Sequence, residues 1–335
     1  MTPGTEPCGQ TAGGEDVHRV AISAGDLSAT ILTLGCTLQD VRLAGIARSL
    51  TVGSPSLAAY QAEMGTCGSI VGPVANRIGN ASATIDGRTW RFDAHYRGRH
   101  TLHGGSAATH SRIWRILDTG PDHASLGLDL PHGQGGFPGN RRITARYEIA
   151  AATLRLTLDA TTDAATLMNL ANHSYWRLDG APTFAGQTLR IDADRYLPGT
   201  AEDVLPTGEI ADVAGTRFDY RRGRALQAGA EGLLDTNFCL SNTRRPLRPV
   251  ATLTGTSGLS MTLATTEPGL QVFDGHNLGL PRYPSNDGPP HRAYAGLALE
   301  AQFWPDAPNN PSFPSILLRP GADWRQITEW RFSRP

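Results

Sequence analysis

The sequence predicts an all-β protein, a large antiparallel sandwich. Three observations point there: runs of alternating apolar and polar residues recur along the chain, one pair of them flanks Asp86-Gly87, and strand patterns nowhere alternate with helical stretches of ten or more residues. Because side chains on a strand change face every residue, such alternation puts one face in a core and the other toward solvent.

The elements follow in chain order. "SPSLAAYQAEM", near residue 59, is the only helix-like stretch, and it is short. "ATIDGRTWRF" reads as a tight hairpin whose type I′ turn needs positive φ at both central residues, which Asp86-Gly87 supplies. "RRITARYEIAAATLRLTLDATT" gives two more alternating runs, and "VATLTGTSGLSMTLATT" gives another hairpin. Glycine- and proline-bearing stretches at 132–140 and 276–290 read as long surface loops. The first of these contains "HGQGGFPGN", which lacks the strand–G-x-G-x-x-G–helix order of a nucleotide-binding turn. No composition break or low-complexity linker divides the chain, so a single domain over residues 1–335 is expected, with 1–17 a flexible N-terminal segment.

Composition narrows the function classes. The 335 residues are 39% hydrophobic with a net charge of −1, enough for a large core. The first twenty residues lack an apolar signal region, and no stretch approaches the roughly 18 apolar residues of a membrane span, so a soluble, cytoplasmic protein is expected. Cys8, Cys36, Cys67 and Cys239 lie far apart with no C-x-x-C, which fits free thiols. The chain contains no lysine. That excludes Schiff-base aldolases, pyridoxal enzymes and a Walker A phosphate loop. Arginines are scattered and balanced by acids, which does not support a nucleic-acid surface. A G-x-S-x-G nucleophile elbow is absent.

Three constellations carry candidate chemistry. In "GLALEAQF", period two puts Leu297 and Leu299 on one face and Ala298, Glu300 and Gln302 on the other. Glu300 stands either on a solvated strand face or in a buried site. The prolines at 305, 308, 311 and 314 that follow cannot join a sheet ladder, and their spacing is that of an extended strap, expected to close beside the glutamate. In "MNLANHSYWRLDG", His173 shares a face with Tyr175 while Asn172 points away, as a core histidine or as a catalyst. "GPVANRIGNA" and "TLHGG" offer Asn76, Arg77 and His103, suited to hydrogen bonding a polyhydroxylated ligand or to an ordinary turn. His95, His100, His103 and His110 cluster in sequence, but their spacing matches no zinc pattern and no metal is expected.

Together, "NLANHSYWRLDG", "TLHGGSAATHSRIW", "LLDTNFCL", "TTEPGLQVFDG" and "LALEAQFWPDAPNNPSFPSILLRPG" resemble the aldose 1-epimerases, in the same order and with comparable spacing, from about residue 18 to the end. The resemblance implies a β-supersandwich fold and interconversion of the α and β anomers of free aldoses, without cofactor or metal. It implies Glu300 as general base, His173 as general acid, and Asp235, Asn76, Arg77, His103 and Gln271 as substrate contacts. The implied partner is a monosaccharide, with no nucleic acid or membrane, and a monomer or weak homodimer. The chain departs from the family pattern at Pro73, where an arginine often follows the first glycine of the "ANR" motif; the position bears on sugar preference.

Opening a hemiacetal ring needs one proton taken from the C1 hydroxyl and one given to the ring oxygen, so a base and an acid on opposite sides of the sugar are expected. Trp176, Phe273 and Trp304 are candidates for an apolar face under the sugar, or for core. Alternatives are a hexose-6-phosphate epimerase using arginines such as Arg77, Arg141 or Arg142, a glycosidase using Asp235 with Glu300, and a non-catalytic sugar-binding module.

Overall fold

The computed structural model describes residues 4–279 and 281–334. Two large antiparallel sheets dominate it. The larger has nine strands, in the order Arg115–Thr119, His123–Leu130, Arg141–Ala150, Thr153–Thr162, Trp324–Ser333, Ser260–Thr265, Arg248–Thr254, Thr188–Ile191 and Arg224–Ala225. The second, which carries the site, has six: Tyr175–Trp176, Leu297–Gln302, Gly269–Phe273, Asp235–Cys239, Arg195–Leu197 and Ala211–Asp212. A four-stranded sheet forms from Thr5–Gln10, Asp16–Ala24, Leu27–Leu32 and Thr37–Leu43.

The alternating residues explain the layering. Ile143, Ala145 and Tyr147 of the large sheet meet Leu270, Val272, Leu297 and Leu299 of the site sheet and Val20, Ile31 and Leu38 of the small one in a single apolar cluster. Each aliphatic side chain buried there contributes about 1.5–3 kcal/mol. A one-residue slip of Leu297–Gln302 would turn its leucines out of this cluster and Glu300 into it, so the core fixes which way the carboxylate faces.

The expected hairpins form. Ser82–Ile85 pairs with Arg88–Arg91 around Asp86 and Gly87, whose φ values of 49° and 76° are those of the type I′ turn. Arg141–Ala150 pairs with Thr153–Thr162 along its whole length, and Arg248–Thr254 pairs with Ser260–Thr265. The helix near residue 59 is one turn, Leu57–Tyr60, followed at once by turns. The 132–140 stretch holds only the 3₁₀ turn Gln134–Gly136, and 276–290 contains no strand among its described residues; Leu280 lies outside them.

The N-terminal segment departs from expectation. Residues 1–3 of the stretch read as flexible lie outside the described residues, but Thr5–Gln10 is a strand on the edge of the small sheet, paired with Asp16–Ala24. Its sequence gives no alternation because the strand is mostly exposed and irregular at Pro7–Gly9, held by backbone pairing rather than by a buried face. All four cysteines are free, and no helix among the described residues is long and apolar enough to cross a membrane.

Candidate active site

The site begins with Leu297–Gln302, in which all six residues are buried. The leucines face the core and Glu300 faces the other way, into a cavity roofed by loops, where it is 2% exposed. Of the two readings open for this carboxylate, the buried one holds. Register then sets its neighbours: Glu300 pairs with Gln271, and Gln271 with Asn237. In the adjacent row Ala298 pairs with both Tyr175 and Phe273, and Phe273 pairs with Asp235. With strands about 4.8 Å apart, Asp235 stands two strands, roughly 10 Å, from the glutamate strand.

His173 is held by its backbone, its N–H donating to Ser69 O and its carbonyl accepting from Gly68 N–H, both at 2.9 Å. Asn172 points into the core, where its Nδ2 donates to Gly68 O and Tyr147 Oη. His173 Nε2 lies 3.6 Å from Glu300 Oε1, and its ring packs on Tyr175 with centroids 5.0 Å apart. Acid and base candidates are therefore adjacent rather than on opposite sides of a ring-sized gap. The reason is topological: the strand pairs of Leu297–Gln302 and Tyr175–Trp176 are direct neighbours.

Asn76 and His103 come from turns, and Arg77 opens the two-residue strand Arg77–Ile78, which pairs with Thr101–Leu102. Asn76 and His103 both have left-handed backbones, φ 61° and 50°, uncommon for residues other than glycine. They lock each other: Asn76 N–H donates to His103 Nδ1 at 3.1 Å, and His103 N–H donates to Asn76 O at 2.9 Å. In neutral His103 the ring hydrogen is consequently on Nε2. Arg77 donates to Asn76 Oδ1 at 3.2 Å and to Asp235 Oδ2 at 3.1 Å, and lies 5.1 Å from the Tyr96 ring centroid. Gln271 Nε2 donates to the second Asp235 oxygen. Behind His103, Gly104 has φ 88°, and a Cβ there would stand 2.3 Å from Gly72 O and 2.5 Å from Pro73 Cδ. Glycine is required for that approach. Pro73 packs against this turn and is not among the residues lining the cavity.

The proline strap does not close beside Glu300. Its residues line none of the cavity; Trp304, Ala307, Phe313 and Ile316 pack in a second apolar cluster with Val74 and Ile78. Its anchor is Asp306, whose N–H donates to Arg77 O at 3.1 Å and whose Oδ1 accepts from Gly79 N–H at 2.9 Å. The strap therefore braces the arginine turn from behind. Nor is it extended: residues 305–314 are turns around the 3₁₀ helix Ala307–Asn309, which starts after Asp306 in a left-handed backbone, φ 53°.

The cavity holds about 310 Å³ and gathers Asn76, Arg77, His103, His173, Asp235 and Glu300 at its walls, with Gln271 beneath. Burial, reinforced by the nearby Asp235, pushes the Glu300 carboxyl well above the usual range, and Arg77 only partly opposes this. Burial lowers His173 to about 4 and keeps His103 neutral, far below its ordinary value. Burial also works against the Arg77 charge, but Asp235 and Tyr96 outweigh it and hold the guanidinium above its usual value. Glu300 Oε2, His173 Nδ1 and Gln271 Oε1 have no protein hydrogen-bond partner. Buried polar atoms left this way call for a ligand or solvent.

Other candidates fall elsewhere. Phe273 lines the cavity, whereas Trp176 packs on Trp330 and Phe332 and Trp304 on Phe313, both in core. Trp176 had to face the core, because it is one residue from Tyr175 on a strand. His95, His100 and His110 do not line the cavity, and no group of three or more metal-ligating side chains exists among the described residues. Arg141 is buried on backbone carbonyls and Arg142 pairs with Asp129, both away from the cavity. Cavity residues that sequence reasoning missed include Tyr96, Val204, Leu233 and His276. Tyr175 was legible in principle, two residues from His173; Val204 and Leu233 carried no signal.

The chain matches the family model described as Aldose 1-epimerase over residues 18–331. It is 33% identical over 333 residues to a galactose mutarotase of Bos taurus, covering 96% of this chain and 95% of that protein. It is 32% identical over 328 residues to an aldose 1-epimerase of Escherichia coli, covering 93% and 92%. Among solved structures, an aldose epimerase homologue from C. elegans superposes with a TM-score of 0.87 at 28% identity, covering 94% of this chain and 98% of that one. A galactose 1-epimerase from Lactobacillus acidophilus gives 0.83 at 25% identity, with 98% of each chain covered.

Proposed function

The chain belongs to the aldose 1-epimerase family, and from that premise we propose that it interconverts the α and β anomers of free aldoses with Glu300 as general base and His173 as general acid. The observation that carries the assignment is the 3.6 Å approach of His173 Nε2 to Glu300 Oε1. The two oxygens that exchange protons in a hemiacetal sit on the same carbon, so the groups serving them must converge. A glycosidase carboxylate pair instead stands roughly 5–9.5 Å apart across the bond it cuts. Here the second carboxylate, Asp235, already accepts from Arg77 and Gln271, which suits binding better than attack.

Glu300 takes the proton of the C1 hydroxyl, the C1–O bond to the ring oxygen breaks as the C1 carbonyl forms, and His173 protonates the released oxygen. Rotation about C1–C2 presents the other carbonyl face, and the same transfers in reverse close the ring. Two protons move and none is consumed, so the balance requires no cofactor. The pair needs one proton between its members. Burial favours that proton on Glu300, and the reactive distribution places it on His173, leaving two opposite charges 3.6 Å apart in a buried site. Asp235, Arg77, Asn76, His103 and Gln271 hold the hydroxyls so that the open chain stays in place. The same reading puts the enzyme in the cytoplasm as a monomer or weak homodimer.

Polarimetry tests the assignment: the rotation of freshly dissolved α-D-galactose, α-D-glucose and D-xylose is followed with wild type and with Glu300→Gln. Wild type is expected to accelerate the change and Glu300→Gln to lose about 10²–10⁴-fold. Near-wild-type rates in Glu300→Gln would remove the glutamate from the mechanism.

A further inference from the structure

A second cavity, of about 420 Å³, lies between the segment after the fourth strand of the small sheet, the end of Tyr175–Trp176 and the 285–292 stretch. It collects three guanidinium groups, Arg48, Arg177 and Arg292, against one carboxylate, Asp287. Asp287 is already engaged: its Oδ2 accepts from Arg177 at 2.9 Å, and its Oδ1 accepts from Ser49 N–H at 2.9 Å and from Arg42 at 3.5 Å. Arg48 and Arg292 have no carboxylate within 4.0 Å among the described residues, and the buried Nε atoms of Arg48 and Arg177 have no partner. Burial lowers the Arg177 pKa, with Asp287 raising it and Arg48 lowering it, so the two cations are within electrostatic reach of each other.

The back wall is His291, 7% exposed. Its Nε2 lies 2.9 Å from Gly53 O and 3.2 Å from Gly53 N. Like charges gathered beside two buried, unpartnered Nε–H groups are costly unless an anion joins them. The polar cavity near Arg19 and Arg42 differs, because Glu6 and Asp40 stand opposite its arginines.

We infer that this cavity binds a phosphate-bearing small molecule through Arg48, Arg177, Arg292 and His291. Three guanidinium groups less one carboxylate leave two positive charges, matching the roughly −1.5 to −2 of a phosphate monoester near pH 7. Arginines from three separate segments line the cavity, an arrangement that suits a tetrahedral oxyanion better than a planar carboxylate, which one guanidinium fork satisfies. The site is distinct from the sugar cavity but adjacent in the chain: Val52 N–H donates to Tyr175 O and Arg177 N–H to Leu50 O, both at 2.9 Å. An anion bridging Arg48 and Arg177 would clamp the two segments that hold Tyr175.

Calorimetric titration at constant ionic strength tests this, with inorganic phosphate and glucose 1-phosphate as separate ligands. Saturable binding is expected in wild type and in Glu300→Gln, weakened about tenfold or more by Arg48→Gln and by Arg292→Gln. Tighter binding of the sugar phosphate would identify a metabolite as the ligand, and equal binding free phosphate. Both variants spare the Asp287 contact of Arg177; Arg48→Gln also removes the bond from Arg48 Nη2 to Leu178 O, so circular dichroism checks its folding and the exposed Arg292→Gln stands as the second variant. No saturation by either ligand up to about 10 mM, or binding unchanged in both variants and lost in Arg77→Ala, would overturn the inference.

Discussion

Glu300, Gln271 and Asp235 stand on adjacent strands whose register is set by apolar residues on the opposite face, whereas Asn76 and His103 stand on positive-φ turns beside the two-residue strand of Arg77, held by a glycine and Asp306. The strand half of the cavity is anchored in the main core. The turn half leans on a smaller cluster and on hydrogen bonds. In the proposed reaction the base sits on the first half, and the hydroxyl contacts are shared with the second.

The sharpest break of this comparison concerns the pair itself. His173→Asn is expected to lower kcat by about 10²–10⁴-fold, and His173→Asn combined with Glu300→Gln to cost little more than either alone, since both serve one proton relay. Additive losses would mean that the two groups act in separate steps. Turn-half variants should never reach such losses.

The pH profile sharpens the same point. The proposed reaction needs one proton on the pair. Below about pH 4, where His173 gains its proton while Glu300 keeps its own, the base is lost; above the raised Glu300 value both protons are gone and the acid is lost. The expected kcat/KM profile is a bell whose acid limb reports the histidine and whose alkaline limb lies well above the ordinary carboxylate range. An acid limb that moved in Glu300→Asp but not in a His110 variant would support the glutamate's part in the coupled pair.

How much of this was legible follows the same division. Period two in "GLALEAQF" put Glu300 opposite the leucines, and in "ANHSYW" put His173 with Tyr175 and away from Asn172. Applied one residue further, it would have sent Trp176 to the core. The turn half had no period to read. "ANR" and "HGG" named, through family resemblance, residues that meet at the cavity, but their mutual lock depends on φ values and on Gly104 packing against Gly72, which sequence does not display. The proline strap was misread in form as well as direction: it is turns around the 3₁₀ helix Ala307–Asn309, and Asp306, its anchor to Arg77 and Gly79, looks like any loop aspartate.

Asp306→Ala therefore probes the turn half alone. It removes the acceptor for Gly79 N–H and for Asn309 Nδ2, at 2.9 and 2.7 Å, in a site where Asp306 is largely buried. A loss of about 1–3 kcal/mol of stability is expected by urea unfolding, with a rise in KM of about tenfold and a kcat within a few-fold of wild type. A kcat loss as large as that of His173→Asn, in protein that remains folded, would show that the two halves are not mechanically separable.

The smallest effect is expected at the cavity mouth, from Val204→Gly. Val204 lines the cavity with a left-handed backbone, φ 57°, on a β-branched residue. That conformation costs about 1–2 kcal/mol, and the surrounding turn holds it: Val204 N–H donates to Thr200 O at 3.0 Å, and Thr200 N–H to Leu205 O at 2.8 Å. Glycine removes the strain but adds about 0.5–1 kcal/mol of unfolded-chain freedom, so the net change in stability should stay within about 1 kcal/mol. Any kinetic change then reports the lost side chain. Because Val204 belongs to neither the proton pair nor the hydroxyl-binding turn, KM should rise by no more than a few-fold with kcat unchanged. Val204→Ala, which keeps the strain and loses most of the side chain, should match Val204→Gly in KM and fall below it in stability. A fall in kcat common to both would mean that the mouth closes over the reacting carbon, and the cavity would have three working parts instead of two.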